Sequence, residues 1–100
     1  MFIGIARFEL YIPASGSLKT KRQVLRSVIQ IVRKKFPVAI AEVDHQDLWQ
    51  RSAIGVSCVA SSVSHCREVL DELERTISKL IAVEAEIVDR RFEIVGLDDL

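Results

Sequence analysis

Apolar side chains recur every three to four positions between Leu18 and Phe36, and again between Val63 and Ile81. Strand-like runs rich in branched and aromatic residues flank both stretches. This change of period constrains the chain more than any single motif, because a helix buries one stripe whereas a strand buries one or both faces. Pro37 sharpens the first transition, since the residue before a proline is driven out of the helical region and the chain must turn extended there.

In order, Phe2 to Ile12 is apolar on both alternating faces and reads as a central strand. Pro13-Ala14-Ser15-Gly16 stops it, and Ser15 or Ser17 caps a helix that runs to about Phe36. Val38 to Asp44 is a second strand, His45-Gln46-Asp47-Leu48 its turn, and Arg51 to Ala60 a third strand. Ser61-Ser62-Val63-Ser64 caps a second helix ending near Ile81. The last strand, Val83 to Val95, changes parity between Ile87 and Phe92, which a bulge near Asp89-Arg90-Arg91 reconciles. The order β-α-β-β-α-β predicts a single α+β domain over residues 1–100: a ferredoxin-like sandwich with a four-stranded antiparallel sheet in order 4-1-3-2 and both helices on one face. That topology brings the start of the first helix to the same end of the sheet as the turn between the second and third strands.

No apolar run approaches the roughly 20 residues needed to span a bilayer, so no membrane partner is expected. Two cysteines without a repeated spacing fit reduced thiols in a cytoplasmic protein, and Cys58 and Cys66 both fall at core-facing positions. The net charge is zero, yet residues 1–51 carry +5 and residues 52–100 carry −5. Such asymmetry suits either a polyanion-binding surface or two halves that attract one another.

The cations concentrate around Ser17-Leu18-Lys19-Thr20-Lys21-Arg22. Positive side chains at a helix start oppose the helix dipole, so helix stability does not explain them. At 100° per residue, Lys19, Arg22, Arg26 and Arg33 form a narrow basic arc, a pattern able to track phosphates or simply to face solvent. Lys21 instead falls in the middle of the apolar arc. Either its stem packs on the rim with the ammonium in water, or the ammonium is held at a site near Asp44 or Asp47. The acidic side of the second helix (Glu68, Asp71, Glu72 and Glu74) offers the basic arc an alternative partner.

The turn from Glu42 to Trp49 holds most of the remaining chemical variety. Asp44 and Asp47 are natural turn residues, and His45 is a base, a ligand or a turn residue. No second ligand stands at a recognisable spacing, so no metal is expected. Trp49, the sole tryptophan, either covers one end of the core or offers a flat stacking surface. No phosphate loop, dinucleotide fingerprint or nucleophile motif is present, and no cofactor is expected. The third strand lacks the aromatics of an RNA-recognition sheet; its small residues, Ala53, Gly55 and Ser57, suit packing by a second subunit instead.

Ser17-Leu18-Lys19-x-Lys21-Arg22, followed by Ala41-Glu42-Val43-Asp44-His45-Gln46-Asp47-Leu48-Trp49-Gln50, resembles the YlxP-like family of small bacterial proteins over essentially the whole chain. The resemblance implies a ferredoxin-like fold and, because the family's genes commonly lie beside translation-initiation and ribosome-maturation genes, association with RNA or the ribosome. No catalytic residue is settled for the family. The leading expectation is a non-enzymatic RNA- or ribosome-associated protein contacting phosphate through Lys19, Lys21, Arg22, Arg26 and Arg33. Two alternatives are a small-anion or enzymatic site at the sheet end (Lys21 with Asp44, His45, Asp47 and Trp49) and a homo-oligomer, such as a homodimer through the open sheet face.

Overall fold

The computed structural model describes residues 1–99. Its elements are β1 (Phe2–Tyr11), α1 (Leu18–Lys35), β2 (Val38–Asp44), β3 (Arg51–Ala60), α2 (Val63–Ile81) and β4 (Glu86–Gly96), followed by a short 3-10 turn at Leu97–Asp99. The strands form one sheet in the order β2-β3-β1-β4 with every neighbouring pair antiparallel, the ferredoxin-like topology expected. Even-numbered residues of β1 face the helices and odd-numbered residues face away. Gly4 shows how closely α2 lies on this sheet: a Cβ there would sit 2.9 Å from Cys58 Sγ and 3.1 Å from Leu70 Cδ1. The core between sheet and helices is continuous, with Phe8, Leu10, Val32, Ile54, Leu70, Leu73 and Ile77 fully buried. Cys58 and Cys66 are buried in it as free thiols, and burial, with Cys66 alongside, pushes the Cys58 thiol up.

Local chemistry accounts for the element ends. Ser17 caps α1 by accepting a hydrogen bond from the Thr20 amide at 3.1 Å, whereas Ser15 is buried and donates its hydroxyl to the Ser17 carbonyl at 3.0 Å. Phe36 leaves the helix in an extended conformation, φ −123°, as Pro37 requires. Ser62 caps α2 through the His65 amide at 3.2 Å.

The sheet departs from expectation in three places. β4 begins at Glu86 rather than Val83: the amides of Glu84 and Ala85 turn back to the Ile81 carbonyl at 2.9 and 2.7 Å, which extends the helix end and leaves Val83 wholly exposed. The parity change in β4 falls one residue before the expected run, with Val88 the extra residue between Ile87 (opposite Leu10) and Asp89 (opposite Glu9). A second bulge, not foreseen from the strand pattern, inserts Val43 between Glu42 (opposite Ile54) and Asp44 (opposite Ala53). Gly55 makes room for it, since a Cβ there would lie 2.7 Å from Val43 Cγ1.

Candidate functional site

Lys21 takes neither of the positions the sequence left open. Its side chain is completely buried, and its Nζ donates to the carbonyls of His45 at 2.8 Å, Gln46 at 3.2 Å and Arg51 at 3.2 Å. The carboxylate beside it is Glu42, with Oε2 at 3.1 Å, not Asp44 or Asp47. The Ser52 hydroxyl, also buried, donates to that same Oε2 at 2.7 Å. The ammonium thus has three carbonyls and one carboxylate around it, a complete set for a desolvated cation. It staples the start of α1 to the β2–β3 turn, which confirms that the two share one end of the sheet. It also removes Lys21 from the phosphate-contacting set, because no face of the ammonium reaches solvent.

The Val43 bulge explains why Glu42 rather than Asp44 is the partner. Residues two apart in a strand normally share a face; the extra residue turns Asp44 to the helix-free side. There Asp44 joins a cluster that the sequence did not suggest. Arg7 donates through Nη2 to Glu9 Oε1 at 2.7 Å and to Asp44 Oδ2 at 3.2 Å. His45 Nε2 lies 3.1 Å from Glu9 Oε2. The Arg7 guanidinium, aided by the charge of His45, holds the Glu9 carboxyl below the usual glutamate range. The His45 amide, at 2.8 Å, and then Arg7 do the same for Asp44. Both carboxylates in turn raise Arg7. Beneath the cluster lie Ala53 and Gly55, the residues directly opposite Glu9 and Arg7.

His45 belongs to both sides of the turn. Its carbonyl takes the Lys21 ammonium and the Leu48 amide, whereas its ring reaches Glu9 on the other face. To do both it adopts φ 62°, the left-handed region, alone among the described non-glycine residues. The enzymatic or small-anion site expected from Lys21, Asp44 and His45 therefore does not assemble: the sheet separates the ammonium from the Asp44 carboxylate and the imidazole. Among the described residues no group of three His, Cys, Asp or Glu side chains is arranged to hold a metal ion.

The basic arc of α1 stands on the outer surface. Lys19, Arg22, Arg26 and Arg33 are exposed, and among the described residues none of them pairs with a carboxylate. Of the acidic residues of α2, Glu74 binds Arg90 of β4 at 2.6 Å and Glu68 lies 4.0 Å from the His65 ring. Arg33 gives one donor to the Ile40 carbonyl at 3.2 Å. Arg22, Arg26 and Arg33 also line a 450 Å³ groove between α1 and the edge strand β2, floored by Leu25, Ile29 and Ala41. Asp47 and Trp49 stand apart from the ionic cluster, in the exposed part of the turn, and Trp49 is not a core residue.

Arg7, Glu9 and Glu42 were missed because each sits inside a strand that reads as predominantly apolar. One signal was available for two of them. Arg7 and Glu9 are the charged residues of the first strand, two apart and hence on one face, and the third strand offers only small side chains opposite.

This is a small ferredoxin-like protein with a basic helix face and a buried lysine clamp at the β2–β3 turn. The chain belongs to the family described as "Protein of unknown function (DUF503)", whose model matches residues 3–92. It is 39% identical to the uncharacterized protein YlxP of Bacillus subtilis (strain 168), with 77% of this chain and 95% of the relative covered. Distant solved structures share the fold. They include a putative chlorite dismutase, TA0507 (TM-score 0.61, 7% identity, 98% of this chain and 46% of that chain). SnoaB, a cofactor-independent oxygenase from Streptomyces nogalater, is similar at TM-score 0.54 and 5% identity, over 95% of this chain and 91% of that one. A C-terminal segment of the aIF2 α subunit from Pyrococcus abyssi aligns at TM-score 0.54 and 17% identity, over 97% of this chain and 51% of that one. The present chain thus spans about half of the first and third of these structures.

Proposed function

We propose that this protein is a non-enzymatic, cytoplasmic RNA-binding or ribosome-associated accessory protein, and that α1 is its phosphate-contacting surface. The observation that carries the reading is the composition and pairing of that helix. It contains seven Lys and Arg residues and no Asp or Glu. Among the described residues Lys21 alone of them is taken up by a carboxylate, which leaves Lys19, Arg22 and Arg26 as exposed charges on one stripe with Arg33 beyond them. From Lys19 to Arg33 the stripe runs about 21 Å at 1.5 Å per residue, long enough to meet several successive phosphates. The two free cysteines fit a reducing compartment.

The test is retention on RNA and on ribosomal particles as salt is raised. Three phosphate contacts lower affinity about 20- to 40-fold for a fourfold rise in salt. A Lys19→Ala/Arg22→Ala/Arg26→Ala variant should bind weakly and lose that salt dependence. Equal retention of wild type and triple variant overturns the reading.

A homodimer through the open sheet face is a second reading, favoured by the exposure of Ile5, Val43 and Val59 on the side of the sheet that no helix covers. Analytical ultracentrifugation decides it: a concentration-dependent dimer supports the reading, and a monomer throughout removes it.

A further inference from the structure

The basic stripe is indifferent to whether a nucleic acid is single- or double-stranded; the turn beside it is not. Trp49 and Leu48 are about half exposed, and they line a 530 Å³ open groove with Asp47, Gln50 and Arg51. An exposed tryptophan on a mobile loop would say little, but this one is mounted on backbone pinned at both ends. Lys21 takes the carbonyls of His45 and Gln46 before it and of Arg51 after it. The Gln50 carbonyl accepts from the Ile12 amide at 2.9 Å, and the Gln50 side-chain amide donates to the Pro13 carbonyl at 2.9 Å. A second flat group stands in the same groove: the Arg51 guanidinium lies 5.6 Å over the Tyr11 ring. The buried lysine therefore ties the backbone on both sides of this planar, amphipathic surface to the start of α1, where the basic stripe begins.

Asp47 and Arg51 bring one charge of each sign to this surface, so it has no excess of positive charge to draw a phosphate away from the α1 stripe. A nucleobase instead brings a neutral π-face for Trp49 and hydrogen-bond donors and acceptors on its edge. Phosphates then belong to Lys19, Arg22 and Arg26, and the groove belongs to a base. A duplex keeps its base faces inside the stack and has none to offer.

We propose that Trp49 is a stacking platform for an unpaired base, so that the nucleic acid engaged by α1 is single-stranded RNA. This inference rests on the phosphate-stripe reading above. Because Trp49 is the sole tryptophan, its emission reports on the groove directly. The full chain is titrated with a short mixed-sequence single-stranded RNA and with the duplex of that strand and its complement. The single strand should quench Trp49, and Trp49→Ala should weaken its binding about tenfold while Trp49→Phe stays within about threefold of wild type. Duplex binding should be weaker and leave the emission unchanged. Binding of both RNAs with equal affinity and unchanged emission, or a Trp49→Ala variant that binds the single strand as wild type does, overturns the inference and leaves the stripe reading standing. Failure of both RNAs to bind overturns both readings. A circular dichroism spectrum matching wild type shows that the substitution of this exposed side chain has left the fold intact.

Discussion

The two sides of the β2–β3 turn solve opposite problems with neighbouring residues. On the helix side, one buried ammonium meets three carbonyls and Glu42, with no solvent in reach. On the open side, Arg7, Glu9, Asp44 and His45 form a partly exposed network, with Asp44 about half in water. The difference is one of replaceability. Water can take the place of any partner in the exposed network, whereas nothing can replace Lys21 without leaving polar groups stranded in the protein interior. Polar residues near one another in sequence thus divide into a structural clamp and an adjustable surface, with Val43 deciding which carboxylate goes where.

Substitutions should separate the two sides sharply. Lys21→Met keeps much of the stem but leaves the partly buried Glu42 without its cation and takes a donor from three carbonyls, and should destabilise the fold by about 3–5 kcal/mol in urea denaturation. A value under about 1 kcal/mol would break the distinction between clamp and network. Adding Glu42→Leu should recover only part of the loss, because the carbonyls of Gln46 and Arg51 still lack the Lys21 donor.

The open side should respond to acid, and only modestly. Glu9 and Asp44 sit below their ordinary values of 4.5 and 3.8 in the folded protein. A carboxylate depressed by folding contributes stability that is present above its unfolded value and lost as pH falls through the folded one. The network's contribution should therefore be complete at neutral pH and decline as pH drops below about 4.5. Glu9→Gln should flatten that decline and lower stability at neutral pH by no more than about 1 kcal/mol, the range of partly exposed ion pairs. A pH profile identical to wild type would show that the network is not coupled to folding.

The smallest effect is expected at His45. Glycine adopts φ 62° without the strain a side chain meets there, so His45→Gly should offset the lost contact with Glu9. The net change should be within about 1 kcal/mol, read as a small shift of Tm. A loss as large as that of Lys21→Met would mean the imidazole, and not just the carbonyl, holds the turn.

The fold was largely legible because periodicity, Pro37 and the serine caps all report local preferences. A cap at Ser15 or Ser17, another within Ser61-Ser62-Val63-Ser64, and the two core-facing cysteines were readable for the same reason, although which serine caps each helix was not. The site was less so. Lys21 could be marked as misplaced from α1 alone, but its partner depended on the face that Glu42 takes, and Ala41-Glu42-Val43-Asp44 shows no sign of an inserted residue. The pairing partner Gly55 reveals why the bulge fits, and that information lies on another strand. The start of β4 was misread for a related reason: Val83 has strand character, yet the Ile81 carbonyl claims the backbone amides that follow it. Propensity acts within a segment; bulges and ion pairs are settled between segments.

Lys21 also has a consequence for how the chain opens and closes. Its ammonium cannot leave water until the carbonyls of His45, Gln46 and Arg51 are already gathered, and those carbonyls are not gathered until the hairpin has turned. Docking of α1 and completion of the hairpin thus become a single cooperative event, joining segments more than twenty residues apart. In native-state hydrogen exchange, the Leu48 amide, held by the His45 carbonyl, should open together with the first turns of α1 rather than as a fraying loop. A turn that would otherwise be among the first parts of the molecule to come loose is made to wait for a helix.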